Sequence, residues 1–199
     1  MENKIINTAM TVFIEKGYAE TSMSEIAARV GINRPALHYY FRTKDKMFEA
    51  VFGDIILSIV PKIFDILIQR DKKIGVRIEE IVDTYYTLLL ENPKLPMFII
   101  REINRDVNLL INTVTKLNLP NRFIEALDSI QEEMNEGKLK NVPIRFVFYN
   151  LYGLLSMPFL SQDLTHRLLL QDNENFEEML EEWKPYIISQ MENLLKVEE

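Results

Sequence analysis

The stretch from Thr21 to Lys46 restricts the fold most, because it carries the signals for two short helices joined by a glycine turn. Ser22 and Glu25 form an S-x-x-E capping box, in which the Ser22 hydroxyl accepts from the Glu25 amide while the glutamate side chain reaches back. Gly31 should end the first helix, because glycine adopts the left-handed conformation at little cost. The apolar stripe of this helix has the i, i+3, i+4, i+7 spacing and consists of Met23, Ile26, Ala27 and Val30.

The second helix of this stretch begins after Asn33, which is a good N-cap, and has Pro35 in its first turn. Leu37 and Phe41 lie four residues apart and should point back into the core. Thr43 is placed to cap one more helix. We therefore predict a helix-turn-helix, a motif whose second helix enters the DNA major groove with its N-terminal residues at the base edges. The residues left on its other faces are Arg34, Ala36, His38 and Tyr39.

The rest of the chain reads as a series of helices. An amphipathic helix over residues 2–16 should end at Gly17 and complete a three-helix head that leans on the helix starting at Lys44. Pro61 should break or kink that long helix. No alternating period-2 stretch and no Asn-Gly or Asp-Gly hairpin signal occurs in the sequence. We predict an all-α fold with a head at residues 1–46 and a helical domain at residues 47–199.

Composition limits the classes of protein to consider. Hydrophobic residues make up 47% of the 199 residues, which is enough for a sizeable core. The sequence contains no cysteine, so it has no disulfide framework, no thiol nucleophile and no cysteine-based zinc site. The N-terminal MENKIINTAM carries an early acidic residue and lacks the apolar core of a signal peptide. We expect a cytoplasmic protein.

Charge is distributed unevenly along the chain. The formal net charge is −7. Residues 1–46 hold seven Lys or Arg against five Asp or Glu, a net charge of +2, which leaves −9 for the remainder. A mildly basic head on an acidic body favours DNA contact at one end only.

The run from Met10 to Phe48, which contains GYAETSMSEIA, VGINRPALHYYF and TKDKMF, resembles the DNA-binding domain of the tetracycline-repressor (TetR) family of transcriptional regulators. The most specific part of the resemblance is the spacing from Gly17 through Gly31 to Phe41 and Lys44. The resemblance implies contact with the DNA backbone or groove by Ser22, Ser24, Tyr39, Tyr40 and Lys44. It places on the base-facing side Arg34, Pro35, Ala36 and His38, with Asn33 at the start of the same helix.

Two positions depart from the common family pattern. His38 stands where a tyrosine is frequent, and Tyr40 stands where a histidine is frequent. The same surface residues are also compatible with a solvated helix face that binds nothing. The agreement of the capping signals, Gly31 and Lys44 on one motif favours DNA contact.

Two C-terminal segments are the candidates for assembly. Phe146 to Leu160, FVFYNLYGLLSMPFL, is apolar all round, but it is shorter than the roughly 20 residues of a membrane span and contains Asn150 and Pro158. Such a helix is buried on every side, either in the domain core or against a second copy. The last helix has near-heptad apolar spacing, and Pro185 interrupts it and should kink it near Glu181. In the TetR family these two helices typically pair as a four-helix bundle, and we predict a homodimer with an interface at Leu151, Leu155, Trp183 and Ile187.

The resemblance also implies a small-molecule site among the C-terminal helices, although each polar-tipped aromatic there could be ordinary core. We predict an apolar or amphipathic effector. Arg101 is the expected partner of an anionic end, because it interrupts an apolar helix and would be costly to bury unpaired. The predicted ligand residues are Tyr85, Phe98, Arg101, Phe148 and Tyr152.

No residue pattern supports catalysis or a metal site. The only histidines, His38 and His166, lie far apart, and no Gly-rich phosphate loop, His-Glu-x-x-His or serine elbow occurs. We expect no cofactor, no metal and no enzyme activity. The sequence predicts a ligand-responsive, homodimeric regulator, most simply a repressor, that binds a palindromic operator. The alternatives are a helical protein–protein adaptor that kept the head, or a small all-α enzyme.

Overall fold

A computed structural model describes residues 1–197. This part of the chain contains no β-strand, so the predicted all-α fold is confirmed. The helices are α1 (Glu2–Glu20), α2 (Met23–Val30), α3 (Arg34–Tyr40), α4 (Lys44–Leu67), α5 (Ile74–Glu91), α6 (Leu95–Arg105), α7 (Val107–Lys116), α8 (Pro120–Asn135), α9 (Ile144–Leu160), α10 (Gln162–Leu164) and α11 (Phe176–Leu195), with a π-helical turn at Thr165–Leu169.

Glycine and proline affect the helices differently. Gly17 interrupts α1 with φ 79° and ψ 173°, a backbone conformation that glycine adopts far more readily than other residues. The helix was predicted to end at Gly17; the backbone does leave the helical conformation there, but one further turn follows, and α1 ends at Glu20. Pro61 lies inside α4 and Pro185 inside α11, and both helices continue past their proline.

The first compact unit comprises Met1–Ser58 and Lys94–Leu119, and so joins α1–α3 and the first part of α4 to α6 and α7. Its core holds a cluster of aromatic rings. The rings of Phe13 and Phe48 meet edge to face with centroids 4.9 Å apart, and Phe98 lies 5.9 Å from Phe48. Such aromatic pairs contribute about 0.5–1.5 kcal/mol beyond their burial. The contact of Phe48 with Phe13 confirms that the head leans on the start of α4.

The second compact unit comprises Ile59–Pro93 and the residues from Pro120 onward. Helix α11 packs along α5 and α9. A bidentate ion pair is buried in this unit, with the Arg77 guanidinium 2.8 and 2.7 Å from the carboxylate oxygens of Glu133. The same guanidinium donates to the carbonyl oxygen of Leu67 at 2.8 Å and so binds the last carbonyl of α4.

The compact units differ from a simple division at Lys46. Helix α4 contributes to both units, and α6 and α7 belong with the head. The division into a DNA-binding head at residues 1–46 and a helical domain at residues 47–199 stays a prediction. Every helix within residues 1–197 is too short or too polar to span a membrane.

Candidate nucleic-acid interface

The turn between α2 and α3 is built by local capping contacts. The Ser22 hydroxyl accepts the backbone N–H of Glu25 at 3.1 Å. Gly31 ends α2 with φ 84° and ψ 30°, and its own N–H donates to the carbonyl of Ala27 at 3.1 Å. The predicted cap and the predicted left-handed glycine are both confirmed. The apolar side of α2 is buried as expected: Met23, Ile26, Ala27 and Val30.

Glu25 differs from the capping-box prediction in one respect. Its carboxylate binds Lys16 at 2.6 Å and Arg29 at 3.3 Å, whereas the prediction had it reach back to the Ser22 amide. Arg29 also binds Glu15 at 2.8 Å. Hydrogen bonding from Lys16 lowers the pKa of Glu25. This surface network links α1 to α2. The ammonium of Lys16 on α1 thus takes the place of the Ser22 amide as a partner of Glu25.

Helix α3 displays its polar residues and buries two apolar ones. The Asn33 side chain accepts the backbone N–H of Ala36 at 2.8 Å and caps the helix. Leu37 is fully buried and Phe41 is buried, as predicted. Tyr39 is 85% exposed, the largest exposure of the large hydrophobic side chains in the described part of the chain. The sequence-predicted DNA residues that are exposed are Ser22, Ser24, Asn33, Arg34, Pro35, Tyr39 and Tyr40, while Ala36, His38 and Lys44 are half-buried.

His38 contacts the first residue of α3 and the backbone just beyond the end of the helix. Its Nδ1 lies 3.1 Å from the carbonyl oxygen of Arg42, and its Nε2 accepts from Nε of Arg34 at 3.3 Å. The rings of Tyr39 and Tyr40 meet edge to face with centroids 5.4 Å apart. Arg34 is therefore tied to the helix through His38, whereas Tyr39 projects from it.

Lys44 opens α4 beside the end of α1. Its ammonium donates to the carbonyl oxygen of Ala19 at 3.3 Å and lies 4.3 Å from the centre of the Tyr18 ring. Thr43 caps this helix by accepting the backbone N–H of Lys46 at 3.2 Å. Tyr18 donates its hydroxyl hydrogen to Asp45, and this hydrogen bond is the main cause of its raised pKa. Contacts from Tyr18 and Ala19 therefore fix the start of α4.

Glu102 of α6 supports the same region, and the sequence reading missed it. Its side chain is 1% exposed. Its oxygens accept the backbone N–H of Tyr18 at 3.0 Å, Nε of Arg101 at 3.2 Å and Nε of Arg105 at 2.7 Å. The Arg105 guanidinium lies 4.1 Å from the Tyr18 ring centre. The sequence position of Glu102 could have indicated its burial, because it follows Phe98 by four residues and so lies on the apolar side of α6.

Arg101 has a different environment from the one that motivated its assignment to a ligand. Its side chain is 41% exposed and binds Glu102, and one of its terminal nitrogens donates to the Phe13 carbonyl at 3.3 Å. The premise of a buried, unpaired arginine is therefore wrong. The Arg101 guanidinium occupies the space beside Gly17, where an added Cβ would lie 2.7 Å from Cζ.

The five predicted ligand residues are divided between the two units. Phe98, 1% exposed, and Arg101 belong to the first unit, while Tyr85, Phe148 and Tyr152 belong to the second. The Phe148 and Tyr152 rings stack with centroids 5.6 Å apart, and Phe148 is 57% exposed. Burial, with a smaller contribution from Tyr152, raises the pKa of Tyr85 to about 12. A ligand site in the second unit stays a prediction.

The predicted dimer residues occupy two kinds of position in the second unit. Leu155 and Ile187 are fully buried within the protomer and present no surface to a second copy. Leu151 and Trp183 are half-buried, and the Trp183 ring N–H donates to the Leu154 carbonyl at 3.1 Å. One exposed apolar stripe of α9 consists of Phe146, Tyr149, Gly153 and Met157, whose three larger side chains are 46%, 65% and 59% exposed.

Within the part of the chain that the structure describes, no group of three or more His, Cys, Asp or Glu side chains is placed to hold a metal ion.

The sequence comparisons find transcriptional regulators. Residues 5–51 match the sequence model of a family described as bacterial regulatory proteins, tetR family. The chain is 24% identical over 179 residues to the probable HTH-type transcriptional regulator YttP of Bacillus subtilis (strain 168), a match that spans 88% of this chain and 85% of that protein. It is 43% identical over 49 residues to IcaR, the HTH-type negative transcriptional regulator of the biofilm operon icaADBC in Staphylococcus aureus (strain Newman), across 25% of this chain and 26% of IcaR.

Similar folds occur among solved structures. A Mesorhizobium loti protein described as a TetR-family transcriptional regulator aligns with a TM-score of 0.66 at 20% identity, over 98% of this chain and 96% of that one. The transcriptional regulator FadR of Bacillus subtilis, solved in complex with stearoyl-CoA, aligns with a TM-score of 0.68 at 14% identity, over 95% of this chain and 98% of that one. At these identities the likeness shows that the fold is shared.

Proposed function

Because this chain carries the DNA-binding domain of the TetR family of transcriptional regulators, we propose that it is a ligand-responsive repressor that binds a palindromic operator as a homodimer. The observation that carries the proposal is the outer face of α3, where Arg34 and Tyr39 are both exposed on a helix held by the buried Leu37. The negative regulation named for IcaR supports repression. This chain binds DNA without performing chemistry on it.

The proposed contacts divide into base reading and backbone binding. Arg34 is the first residue of α3, and it is proposed to contact the edge of a base, since arginine to guanine is the commonest specific contact. Pro35, Ala36 and His38 lie on the same side. The backbone partners are hydroxyls, an amide and an ammonium, which position the protein without reading sequence: Ser22, Ser24, Asn33, Tyr39, Tyr40 and Lys44.

A gel-shift titration tests DNA binding, with the DNA upstream of the chain's own gene as the probe and random DNA as the competitor. Arg34→Ala should weaken binding to the preferred site by about 1–3 kcal/mol and relax one base position. Lys44→Ala should weaken all sequences alike and reduce the salt slope by about 1. An adaptor or an enzyme would show no preference for any DNA. Equal losses for Arg34→Ala on specific and random DNA would remove its base-reading role.

Dimerisation is proposed through the exposed stripe of α9 and the adjoining surface of α11. One short recognition helix contacts too few bases to select a site alone, so two copies should bind half-sites at least one turn, about 34 Å, apart. Gly153 lies in open space, because a Cβ added there would have no neighbour within 4 Å. A glycine in such a stripe leaves room for a helix of a second copy. Tyr186 of α11 is 62% exposed and stacks on Trp183 with centroids 5.9 Å apart.

Light scattering tests the dimer, and at micromolar concentration it should give twice the chain mass of 23.5 kDa. Tyr149→Asp should yield monomers, because it places a charge in the apolar stripe. Ile124→Asp on α8 is the matched control, since Ile124 is 53% exposed and lies outside the stripe. A wild-type monomer that still binds a palindrome tightly would remove the dimer from the proposal.

The effector site is proposed in the second unit, around Tyr85, Phe148 and Tyr152. The rings of Phe148 and Tyr152 stack with centroids 5.6 Å apart, and Tyr152 lies close enough to Tyr85 to contribute to its raised pKa. The proposed effector is an apolar molecule with one polar or anionic end, which would act by binding the two DNA-binding states with different affinity.

Stearoyl-CoA and free stearate are useful probes, because the similar FadR of Bacillus subtilis was solved with stearoyl-CoA. An effector should raise the unfolding temperature of the wild type and release it from its operator. Tyr152→Ala should lose the stabilisation, whereas Phe123→Ala on α8 should keep it. Arg101→Ala is a second control that should also keep the stabilisation, because Arg101 belongs to the first unit and binds Glu102. A probe that stabilises all variants equally, or leaves DNA affinity unchanged, is not bound at this site.

A further inference from the structure

Both ring nitrogens of His38 have hydrogen-bond partners at the two ends of α3. Nδ1 lies 3.1 Å from the carbonyl oxygen of Arg42, just beyond the end of α3. Nε2 lies 3.3 Å from Nε of Arg34, one helical turn earlier. His38 is half-buried and Arg34 is exposed. The imidazole therefore bridges the backbone after α3 and the first side chain of the helix.

These contacts determine which nitrogen of His38 carries the hydrogen. A carbonyl oxygen only accepts hydrogen bonds, so Nδ1 must donate to Arg42. In the neutral ring the other nitrogen then has a free lone pair. Nε2 can therefore accept the Nε–H of Arg34, which is itself only a donor. The backbone contact sets the tautomer, and the tautomer makes the ring an acceptor for Arg34.

We propose that His38 is a positioning residue for Arg34, which it holds by Nε so that the two terminal nitrogens face outward to read a guanine. The inference rests on the proposed function, in which Arg34 reads a base edge. A guanine presents O6 and N7 side by side, and the two terminal nitrogens of a guanidinium match them. Fixing a long side chain before binding lowers the entropy lost on DNA contact.

Three substitutions at His38 separate its two contacts. The side-chain amide of glutamine reaches the position of Nε2, so His38→Gln keeps an acceptor for Arg34. The side-chain amide of asparagine reaches the position of Nδ1, so His38→Asn keeps a donor for the Arg42 carbonyl and loses the acceptor. His38→Phe keeps the ring and loses both nitrogens. Gln and Asn are thus matched controls for each other.

The experiment measures affinity for the preferred operator and for operators altered one base pair at a time, with Arg34→Ala identifying the base pair that Arg34 reads. His38→Gln should discriminate at that base pair as the wild type does. His38→Asn and His38→Phe should lose about 2- to 10-fold in discrimination there, as expected for releasing one ordered side chain. Arg34→Ala combined with His38→Asn should lose no more than Arg34→Ala alone.

Other outcomes would overturn the inference. If His38→Asn behaves as the wild type while His38→Gln resembles His38→Phe, the ring acts only through the Arg42 carbonyl. If all three variants weaken operator and random DNA equally, His38 contacts the DNA backbone or supports the fold, and thermal unfolding then separates these two roles. Unchanged discrimination in all three would also exclude the positioning role. A wild type without any operator preference would instead remove the proposed function.

Discussion

The carboxylate of Glu102 accepts the backbone N–H of Tyr18 at 3.0 Å, across 84 positions of sequence. This hydrogen bond joins α6 to the residue that follows the Gly17 break in α1. The ring of Tyr18 in turn lies under the ammonium of Lys44, the first residue of α4. The buried Glu102 of α6 thereby fixes Tyr18, and Tyr18 in turn supports Lys44, a proposed contact to a DNA phosphate.

Removing the Glu102 carboxylate should destabilise the protein and weaken its general DNA affinity. Glu102→Ala leaves the partly buried Tyr18 N–H without its acceptor, a cost of about 1–3 kcal/mol. Arg101 and Arg105 should add little to this cost, because both can turn to water. Glu102→Gln should cost less, since the amide oxygen still accepts from Tyr18. Chemical denaturation measures the stability, with the exposed Glu20→Gln as the control. Equal stability of Glu102→Ala and the wild type would contradict a supporting role for this contact.

Two glycines with positive φ differ in ψ, which is 173° at Gly17 and 30° at Gly31, and in what surrounds them. Gly17→Ala combines an unfavourable backbone conformation, about 1–3 kcal/mol, with a Cβ that would lie 2.7 Å from Cζ of Arg101. Gly31→Ala should carry only the backbone cost, about 1–2 kcal/mol, because nothing lies within 4 Å of its Cβ. Urea unfolding should rank Gly17→Ala as the less stable. Adding Arg101→Ala to Gly17→Ala should remove the steric part, and no change on adding it would disprove the clash.

The local motif was predictable from the sequence, whereas its supporting contacts were not. Capping at Ser22 and Asn33 and the glycine at Gly31 depend on neighbours within four residues, and all three were predicted correctly. The match of residues 5–51 confirms the family resemblance. Glu102 was missed and Arg101 was misjudged, because each also has a partner on α1 more than 80 residues away, Tyr18 for Glu102 and Phe13 for Arg101. A helix pattern shows which residues share a side but not what covers that side.

The dimer residues show the same limit. Leu155 lies on a helix that is apolar on every side, so its sequence could not distinguish the side buried in the protomer from the side left open. The structure separates them, with Leu155 fully buried and Tyr149 65% exposed. The sequence identified the apolar residues of this helix, but which of them face the core depends on the packing of α11 against α9.

The buried Arg77–Glu133 pair predicts a large loss on removing one partner. Glu133→Ala should cost about 3–5 kcal/mol, because it leaves the Arg77 charge buried without its carboxylate. Replacing both residues, Arg77→Met with Glu133→Leu, should cost less than Glu133→Ala alone. Glu132→Ala is the control, since Glu132 binds the partly exposed Arg70 at 2.8 Å and such a pair contributes about 0–1 kcal/mol. Similar denaturation midpoints for Glu133→Ala and Glu132→Ala would refute the prediction.

Tyr85 predicts a specific loss of stability at alkaline pH. Burial raises the pKa of Tyr85 to about 12 from its ordinary value of 10.0. The folded protein therefore holds this phenol proton more tightly than the unfolded chain does. The resulting stabilisation is complete below about pH 10 and is lost as the pH rises from about 10 to about 12.

Tyr85→Phe has no such proton, so its unfolding temperature should fall less steeply across this window than that of the wild type. Thermal unfolding followed by circular dichroism from pH 8 to pH 12 provides the measurement, with the exposed Tyr39→Phe expected to follow the wild-type curve. Parallel curves for the wild type and Tyr85→Phe would show that the Tyr85 hydroxyl reaches water in the folded protein, and would weaken its place in the proposed effector site.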